Sequence, residues 1–307
     1  MNLIKPSFEI LEQALGMEGL YKQIELAGRT CYKSENYITE DSAKEFVDRM
    51  IKLGHGAMLE HGTVYLTIPG EHEPNEWGMC HPYLKYKGNY RSNKYSKVVW
   101  EYYDQQPIET QADFCSLIPR SRAHITTNLR VLVENGWMDD LQYICEPTEY
   151  HEKRITVKFV CDRGVSHEFV RHRVMSFAQE STRYCNYSKD KFGNELTFVF
   201  PIWMDEELLK SYGEHHTIDR SHTAESIFIA GLNNAEKDYL ALINLGWKPQ
   251  EARAILPNAL KTELVMTGFI SDWKHFFDLR CPGSAHPQAR ELAVPLYEKF
   301  KELQWVD

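Results

Sequence analysis

The segment VSHEFVRHRVMSFAQESTRY, which begins at residue 165, concentrates residues that can bind an anion. Arg171, His172 and Arg173 are consecutive, and Ser181 and Arg183 follow at close spacing. A guanidinium donates two parallel N–H groups to phosphate or carboxylate oxygens, and a serine hydroxyl adds another donor. The whole chain carries a net charge of −9, so general attraction to nucleic acid or to an anionic membrane is not expected. The segment therefore predicts a local anion site in an acidic protein.

A cluster of surface charges is the alternative interpretation of the same segment. Its apolar positions predict a helix with Ser166 as a plausible N-cap, and the basic triplet would continue that helix. Successive helix positions differ by about 100°, so the three basic side chains cannot share one face. They would either pair with Glu168 or Glu180, or address different groups of large ligands or of neighbouring subunits.

Histidines near these positions do not have the spacing of a metal site. His167 and His172 flank Glu168 but stand five residues apart, whereas the zinc-protease motif needs two histidines four apart on one helix face. His55 and His61 stand six apart. We predict no metal.

The cysteines favour a reducing cytoplasm. There are seven, an odd number, and no C-x-x-C pair occurs, which argues against a disulfide framework and a zinc ribbon. Cys80 and His81 are adjacent, and neighbouring side chains of an extended chain point to opposite sides, so a nucleophile–base pair is not expected. The N-terminus does not resemble a signal peptide, and no apolar run is long enough to predict a membrane span.

Nucleotide binding would have to use side-chain cations, because the sequence contains no G-x-G-x-x-G, Walker loop or G-x-S-x-G motif. Two more arginines are available near the C-terminus. Arg253 lies in EARAILP, where it can also extend over the surface. Arg280 ends an aromatic helical pattern, where the helix dipole favours a cation on its own.

Periodicity and turn residues predict an α/β (α+β) chain of one domain, with long helices around a central mixed sheet. Strands are predicted at residues 2–10, 63–68 and 154–164. Helices are predicted at residues 17–32, 38–55, 121–136, 224–247, 271–280 and 286–305, and a further one begins near Pro249. Residues 69–123 are polar, aromatic and rich in turn residues, which indicates an insertion.

The segment from Arg171 to Ser181 is similar to the R-H-R-x7-S signature of the flavin-dependent thymidylate synthases. Arg171, His172 and Arg173 are followed after seven residues by Ser181, and the match continues to Arg183 and Tyr184. Other segments resemble the same family in order and context: Glu60-His61-x-Thr63, Arg253 in ARAILP, Arg280 in HFFDLR and His286 in SAHPQARE. The resemblance covers roughly residues 1–68 and 124–300.

Membership of this family would imply an α/β fold assembled as a homotetramer with active sites at subunit interfaces. The implied reaction methylates dUMP to dTMP. The implied carbon donor is 5,10-methylenetetrahydrofolate, which leaves as tetrahydrofolate, and NADPH reduces a bound FAD that delivers hydride. The cation implied beside the pyrimidine is Arg280, whose guanidinium stays charged and stabilises developing negative charge. No catalytic cysteine is required.

The resemblance also implies roles for individual residues. The implied dUMP contacts are Glu168, Arg171, Gln179, Glu180, Ser181, Arg183, Arg253 and Arg280. The implied FAD contacts are Thr63, Arg171, His172, Arg173, Gln179 and His275, with His61 near the flavin and the substrate.

The sequence departs from the family pattern at several of these positions. Glu168 stands where some members have glutamine, and Gln179 where some have glutamate. Phe269 and Ser271 stand where some members have a flavin-binding asparagine and arginine, so those roles do not carry over. His275 replaces a polar asparagine contact.

Two other functions are compatible with the cation cluster. The chain could be a nucleotide- or nucleic-acid-binding module without catalysis, which predicts steeply salt-dependent binding. It could also be an inactive family member that serves as a scaffold. The net negative charge argues against the binding module. An inactive family member is disfavoured because the sequence keeps the residues implied to bind the nucleotide: Arg171, Ser181, Arg183, Arg253 and Arg280.

Overall fold

The described part of the chain combines two principal antiparallel sheets with helices. The computed structural model describes residues 1–74, 80–83, 90–103, 120–205, 207 and 223–307. Its strands are β1 (Asn2–Ile4), β2 (Ser7–Leu11), β3 (Thr63–Pro69), β4 (Glu71–Pro74), β5 (Cys80–Tyr83), β6 (Lys97–Tyr103), β7 (Arg120–Asn128), β8 (Arg154–Asp162), β9 (Ser176–Gln179), β10 (Thr197–Val199) and β11 (Lys261–Phe269). Its helices are α1 (Gly16–Tyr32), α2 (Ser42–Lys52), α3 (Gly56–Leu59), α4 (Leu129–Asn135), α5 (Arg163–Phe169), α6 (Ala224–Asn244), α7 (Pro249–Ala252), α8 (Ile270–Arg280) and α9 (Pro287–Glu302).

The central sheet has the strand order β2-β8-β11-β9. β8 and β11 pair along their full lengths, from Lys261 opposite Asp162 to Phe269 opposite Arg154. All three pairings in this sheet are antiparallel. The sequence predicted a mixed central sheet, and this prediction is wrong because the strands are all antiparallel. The predicted α+β class is confirmed. Among the described strands, the parallel pairing is between β1 and β10, in a separate sheet.

One face of the central sheet carries the larger hydrophobic core. Side chains alternate between faces along a strand, and β8 directs Ile155, Val157 and Phe159 toward α5, α8 and α9. Phe159 is fully buried and lies 5.0 Å, centroid to centroid, from the ring of Phe169. The apolar residues of α8 that pack here recur three and four positions apart, as an amphipathic helix requires: Trp273, Phe276 and Phe277.

The opposite face of the central sheet is polar, although helices α1 and α3 cover it. Arg154 and Thr156 of β8 are buried there, as are Glu263 and Thr267 of β11. Buried polar groups are costly unless they are hydrogen-bonded or paired, so this face must satisfy its own groups internally.

The second sheet has the strand order β3-β7-β6 and packs against helices α1, α2 and α4. Residues 121–128 form strand β7, so the helix predicted for residues 121–136 is wrong over that part. Ala123 and Ile125 are buried in this second core, whereas His124 and Thr126 face the other side of the sheet, and this alternation has the period of a strand. Helix α4 starts only after Asn128, whose side chain accepts a hydrogen bond from the Val131 N–H at 3.2 Å.

The basic triplet also lies outside its predicted helix. Helix α5 ends at Phe169, and its N-cap is Asp162, which accepts a hydrogen bond from Val165 N–H at 2.8 Å. Ser166, the predicted N-cap, is buried inside the helix. The chain then turns through Arg171 and enters strand β9 at Ser176. Strand β11 was not predicted from the sequence, and the first predicted strand is two short strands, β1 and β2.

The predicted insertion at residues 69–123 falls only in part within the described residues, and its classification as an insertion remains a prediction. The structure places Cys80 and His81 in strand β5, and their side chains lie outside the described part. Within the described ranges, none of the helices combines the length and the apolar character that a membrane crossing demands.

Candidate active site

The C-terminal end of α8 meets the C-terminal end of α5 through a single arginine. Arg280 donates from Nη1 to Glu168 Oε2 at 2.7 Å and from Nη2 to the Glu168 carbonyl oxygen at 2.9 Å. Its Nε donates to His172 Nε2 at 3.0 Å. The Arg280 side chain is 17% exposed and that of Glu168 34% exposed. The two residues are 112 positions apart in sequence, and the fold brings them together with His172.

His172 is held in one neutral tautomer by this contact. Because Nε2 accepts from Arg280, the ring proton must reside on Nδ1. His172 is buried, and its Nδ1 has no hydrogen-bond partner among the residues described. Burial, followed by the nearby charge of Arg280 and then by His275, lowers the pKa of His172 to about 4. The His275 ring lies 5.9 Å from the His172 ring, centroid to centroid, and His275 itself is exposed.

We expect His172 to stay neutral throughout the physiological pH range. Its folded pKa lies below the ordinary value of 6.5, so the ring gains its proton only as the pH falls toward about 4. Measurement of ring carbon and nitrogen chemical shifts of histidine-labelled protein during an acid titration tests this. A midpoint near 6.5 for His172 would contradict the expectation. The exposed His275 is the internal comparison in the same spectra.

Two exposed guanidiniums flank the buried histidine. Arg171 and Arg173 line an open cavity of about 570 Å³ together with His167 and Val170. Within the described ranges, no ion pair involves either arginine. The turn thus presents two unneutralised cations to solvent while it buries the residue between them, and such an arrangement suits an anionic ligand at the surface.

Strand β9 continues from this turn to the predicted nucleotide residues. Gln179 donates from Nε2 to Ser166 Oγ at 2.8 Å and to Thr262 Oγ1 at 3.2 Å, so it joins β9 to α5 and β11. Glu180 is buried, and its two carboxylate oxygens are engaged by Lys261 at 2.9 Å and by the hydroxyl of Tyr187 at 3.0 Å. These contacts make Glu180 a buried, paired carboxylate.

The residues after β9 form a small polar surface. Ser181 is fixed by its backbone N–H, which donates to the Cys31 carbonyl oxygen at 2.9 Å. Arg253 Nη1 donates to Thr182 Oγ1 at 3.2 Å, so this distant arginine lies against the same segment. Arg183 is exposed and stacks against its neighbour Tyr184 at 5.5 Å from the ring centroid. The backbone N–H of Arg183 donates to Ser181 Oγ at 3.4 Å, so this short segment and Arg253 beside it carry the hydroxyl and the two arginines predicted from the sequence.

His61 and Thr63 are buried beneath helix α1 and do not line the cavity beside Arg171. His61 Nδ1 hydrogen-bonds Thr267 Oγ1 at 2.8 Å, and Thr267 contacts Thr156 Oγ1 at 2.8 Å. Burial, followed by the charge of Arg154, lowers the pKa of His61 to about 3. The Thr63 backbone exchanges two hydrogen bonds with the side chain of Gln13, each 2.8 Å long. The described structure therefore does not bring these two residues to the R-H-R cavity.

Arg154 is a candidate residue that the sequence did not indicate. Its guanidinium is buried and donates to the Glu60 carbonyl oxygen at 3.1 Å, to Thr63 Oγ1 at 3.4 Å and to Ser176 Oγ at 3.3 Å. Arg154 thereby joins the Glu60–Thr63 turn to the strand that follows the R-H-R triplet. Burial lowers its pKa to about 10. The available signal was an arginine at the start of a strand, in register with Thr156 and Lys158 on the face opposite the apolar residues.

Phe269 and Ser271 have contacts of a different kind from those of the R-H-R triplet. Phe269 is buried with its ring 5.3 Å from Lys97 Nζ. Ser271 is exposed, and its backbone N–H donates to Glu152 Oε1 at 2.9 Å.

Comparison with known proteins identifies the family. The family model described as thymidylate synthase complementing protein matches residues 147–304, just over half of the 307 residues. The chain therefore belongs to this family, and the resemblance drawn from the R-H-R motif is confirmed. The matched stretch includes the turn, strand β9, Arg253 and Arg280. It does not include Glu60, His61 and Thr63.

Curated relatives agree with the family model. The flavin-dependent thymidylate synthase of Pyrococcus furiosus is 34% identical over 142 residues, which are 46% of this chain and 51% of that protein. The enzyme of the same name from Corynebacterium diphtheriae is 33% identical over 141 residues, 46% of this chain and 54% of that protein. The one from Geobacter sulfurreducens is 30% identical over 139 residues, 45% and 52% respectively. The matches thus span about half the length of these relatives.

Proposed function

We propose that the protein is a flavin-dependent thymidylate synthase that methylates dUMP to dTMP. The observation that carries the proposal is the contact of Arg280 with Glu168 and His172, beside the exposed Arg171 and Arg173. This cluster falls within the stretch matched by the family model. Curated relatives with that activity in their names support the reaction class.

The residues around the R-H-R turn fit a flavin dinucleotide. FAD carries a diphosphate, and Arg171 and Arg173 offer two guanidiniums without an ion pair among the described residues. His172 has a buried Nδ1 without a hydrogen-bond partner there, and a ligand atom could satisfy it. FAD would supply the hydride chemistry, with NADPH as the proposed reductant and 5,10-methylenetetrahydrofolate as the proposed carbon donor. The protein side chains would bind and orient these groups.

The nucleotide fits the polar surface after β9. Ser181, Arg183 and Arg253 offer a hydroxyl and two cations for the phosphate of dUMP. Beside the pyrimidine, the guanidinium of Arg280 would stabilise negative charge that develops as the ring carbon attacks the methylene group. The ion pair with Glu168 fixes the direction of the guanidinium before substrate binds. No thiol is needed for this activation.

We further propose a homotetramer with interfacial sites, in a reducing compartment such as the cytoplasm, and one catalytic domain. The separation of buried Thr63 from the R-H-R cavity within one subunit is compatible with a site completed by another. The described cysteines without disulfide partners support the compartment: Cys31, Cys145, Cys161, Cys185 and Cys281.

The absorbance spectrum of the purified protein tests the proposed function. We expect flavin bands that bleach when NADPH is added under anaerobic conditions, and dTMP formation once dUMP and methylenetetrahydrofolate are present. Protein reconstituted with FAD that stays colourless after desalting, and forms no dTMP, would refute the assignment. Tight dUMP binding without turnover would instead favour a nucleotide-binding module. Steeply salt-dependent binding of oligonucleotides would point to nucleic acid.

A further inference from the structure

A chain of hydrogen bonds runs across the second sheet to a cysteine that the proposed reaction does not use. Thr67 of β3 lies opposite His124 of β7, and Val99 of β6 lies on the other side of His124. Glu101 is two residues beyond Val99 and therefore shares its face of the sheet. The segment after α4 brings Cys145 against this face, where its N–H donates to the Tyr65 carbonyl oxygen at 3.0 Å.

A continuous series of hydrogen-bonding contacts connects the Cys145 thiol to the Glu101 carboxylate. Cys145 Sγ lies 3.2 Å from Thr67 Oγ1, and Thr67 Oγ1 lies 3.2 Å from His124 Nδ1. His124 Nε2 lies 2.9 Å from Glu101 Oε2. A carboxylate only accepts, so a neutral His124 donates from Nε2 and accepts at Nδ1, where the Thr67 hydroxyl at 3.2 Å is nearer than the Thr148 hydroxyl at 3.4 Å. When Thr67 donates to Nδ1, its oxygen is left to accept from the thiol. His124 is buried, and the ring of Tyr150 stacks on it at 4.7 Å.

This cysteine borders a cavity of about 260 Å³ that is separate from the R-H-R cavity. The lining residues that matter for its chemistry are Glu12, Thr63, Tyr65, Cys145, Lys153 and Arg154. Two of them are cations and one is a carboxylate. Arg154 is more than nine-tenths buried, pairs only with neutral oxygens among the described residues, and its Nε has no hydrogen-bond partner there. Glu60 and Asp272 act on Arg154 electrostatically, but neither forms an ion pair with it among the described residues. A buried guanidinium that has no direct ion pair and one free N–H favours an anionic ligand in this cavity.

The four other described thiols have pKa values that are raised by burial. Burial raises the pKa of Cys31 to about 11 and that of Cys185 to about 12. Burial also raises the pKa values of Cys161 and Cys281. Thiolate is the reactive form, so these four thiols are poor nucleophiles at neutral pH. They provide internal references for any measurement of reactivity.

We propose that Cys145 is the nucleophile of a site for a small anionic electrophile, with the Thr67, His124 and Glu101 chain accepting its proton. In the covalent step the sulfur lone pair forms a bond to the electrophilic carbon, and the leaving group departs with the pair of electrons from its own bond. The thiol proton passes to the Thr67 oxygen as the Thr67 proton passes to His124 Nδ1. The imidazolium is stabilised by Glu101. No oxidant or reductant is consumed.

The four residues of the proposed proton path have no part in the proposed thymidylate synthesis. Cys145, His124, Thr67 and Glu101 all lie outside residues 147–304, the stretch matched by the family model. Thr63, an implied flavin contact, does border the cavity, so occupancy by flavin has to be tested as well.

Alkylation rates of individual cysteines, measured by mass spectrometry of peptides from the full-length protein, test the proposal. The probes are iodoacetate, which is anionic, and iodoacetamide, which is neutral and reacts by the same displacement. We expect Cys145 to react at pH 7 at least about tenfold faster than Cys281. Relative to N-acetylcysteine amide, we expect Cys145 to favour iodoacetate over iodoacetamide by roughly fivefold, because cations line its cavity.

Single variants distinguish a loss of proton transfer through Thr67 and His124 from a general disturbance of the fold. Thr67→Val and His124→Gln should each lower the Cys145 rate by about tenfold or more, with the rate at Cys281 unchanged. Thr126→Val is the matched control, since this buried strand threonine has a hydroxyl without a hydrogen-bond partner among the described residues. Lys153→Gln should reduce the preference for iodoacetate.

Three outcomes would overturn the proposal. One is a Cys145 rate no higher than that of Cys281, and another is an equal response to Thr67→Val and Thr126→Val. The third is protection of Cys145 by added FAD, which would assign the cavity to the flavin. If Thr67→Val raises the rate at Cys281, the fold has loosened, and the His124→Gln variant then decides.

Discussion

Replacement of Arg280 by alanine is expected to lower kcat for dTMP formation by about 10²–10³-fold, the usual loss when one preorganised donor to developing charge is removed. Three donors of this guanidinium are committed to Glu168 and His172. The variant loses the cation proposed to lie beside the pyrimidine, and it frees Glu168 to place an unpaired negative charge there. Both changes oppose the build-up of negative charge on the substrate. Stopped-flow measurement of flavin oxidation after addition of dUMP and methylenetetrahydrofolate gives the rate.

Two further variants distinguish a catalytic role from a structural one. Arg280→Lys keeps the charge but cannot reach Glu168 and His172 through a planar fork, so we expect an intermediate rate. Lys274→Ala, on the exposed side of the same helix, is the matched control and should keep the full rate. Flavin absorbance and circular dichroism should be unchanged in all three proteins. A normal kcat in Arg280→Ala would remove Arg280 from the mechanism.

The sequence predicted the basic cluster correctly but not its geometry. Arg171, His172 and Arg173 were expected on a helix that presents them in three directions. They lie in a turn that buries His172 between two exposed arginines. The helix ends at Phe169, and the segment from Ser176 pairs with β11 instead. Local periodicity could not reveal this, because the competing strand partner lies far away in the chain.

Pairing between residues that are far apart in the sequence also explains the other differences between prediction and structure. The helix pattern of residues 121–128 is overridden by pairing with β3 on one side and β6 on the other. The alternative interpretation paired the basic triplet with Glu168 or Glu180, but the cation that contacts Glu180 is Lys261, which is 81 residues away. Strand β11 has no polar alternation to reveal it, since eight of its nine residues are buried on one face or the other. The helices with caps, such as α4 ending before Gly136 and α7 starting at Pro249, were predictable because their signals are local.

Replacement of Glu263 by glutamine is expected to lower the free energy of unfolding by about 3–5 kcal/mol, as is typical when one partner of a buried ion network is removed. Glu263 lies on the polar face of β11 beneath α1 and is buried. One of its oxygens accepts from Lys33 at 2.7 Å and from Lys261 at 2.7 Å, and the other pairs with Lys158 at 2.6 Å. Glutamine is nearly the same size, so the variant removes the charge and leaves three cations around a neutral amide.

The destabilisation caused by Glu263→Gln should become smaller as the pH falls. Burial alone would raise the pKa of Glu263, but the charges of Lys261 and Lys33 and the contact with Lys158 outweigh burial and lower it to about 2. A carboxyl whose folded pKa is depressed stabilises the fold above its ordinary value of 4.5 and loses that contribution as the pH falls toward about 2. The difference between the parent protein and Glu263→Gln should therefore be constant near pH 7 and shrink below pH 4.5.

Urea unfolding at several pH values measures this difference, with Glu302→Gln as the control. Glu302 also pairs with a lysine, Lys299 at 2.8 Å, but its side chain is 64% exposed, so water screens the pair and the variant should unfold like the parent. A pH-independent difference for Glu263→Gln would mean that shape and not charge is lost at this position. Because Lys261 also holds Glu180, the residue before Ser181, loss of the network should reach the predicted nucleotide surface too. We therefore expect the KM for dUMP to rise in Glu263→Gln while it stays unchanged in Glu302→Gln.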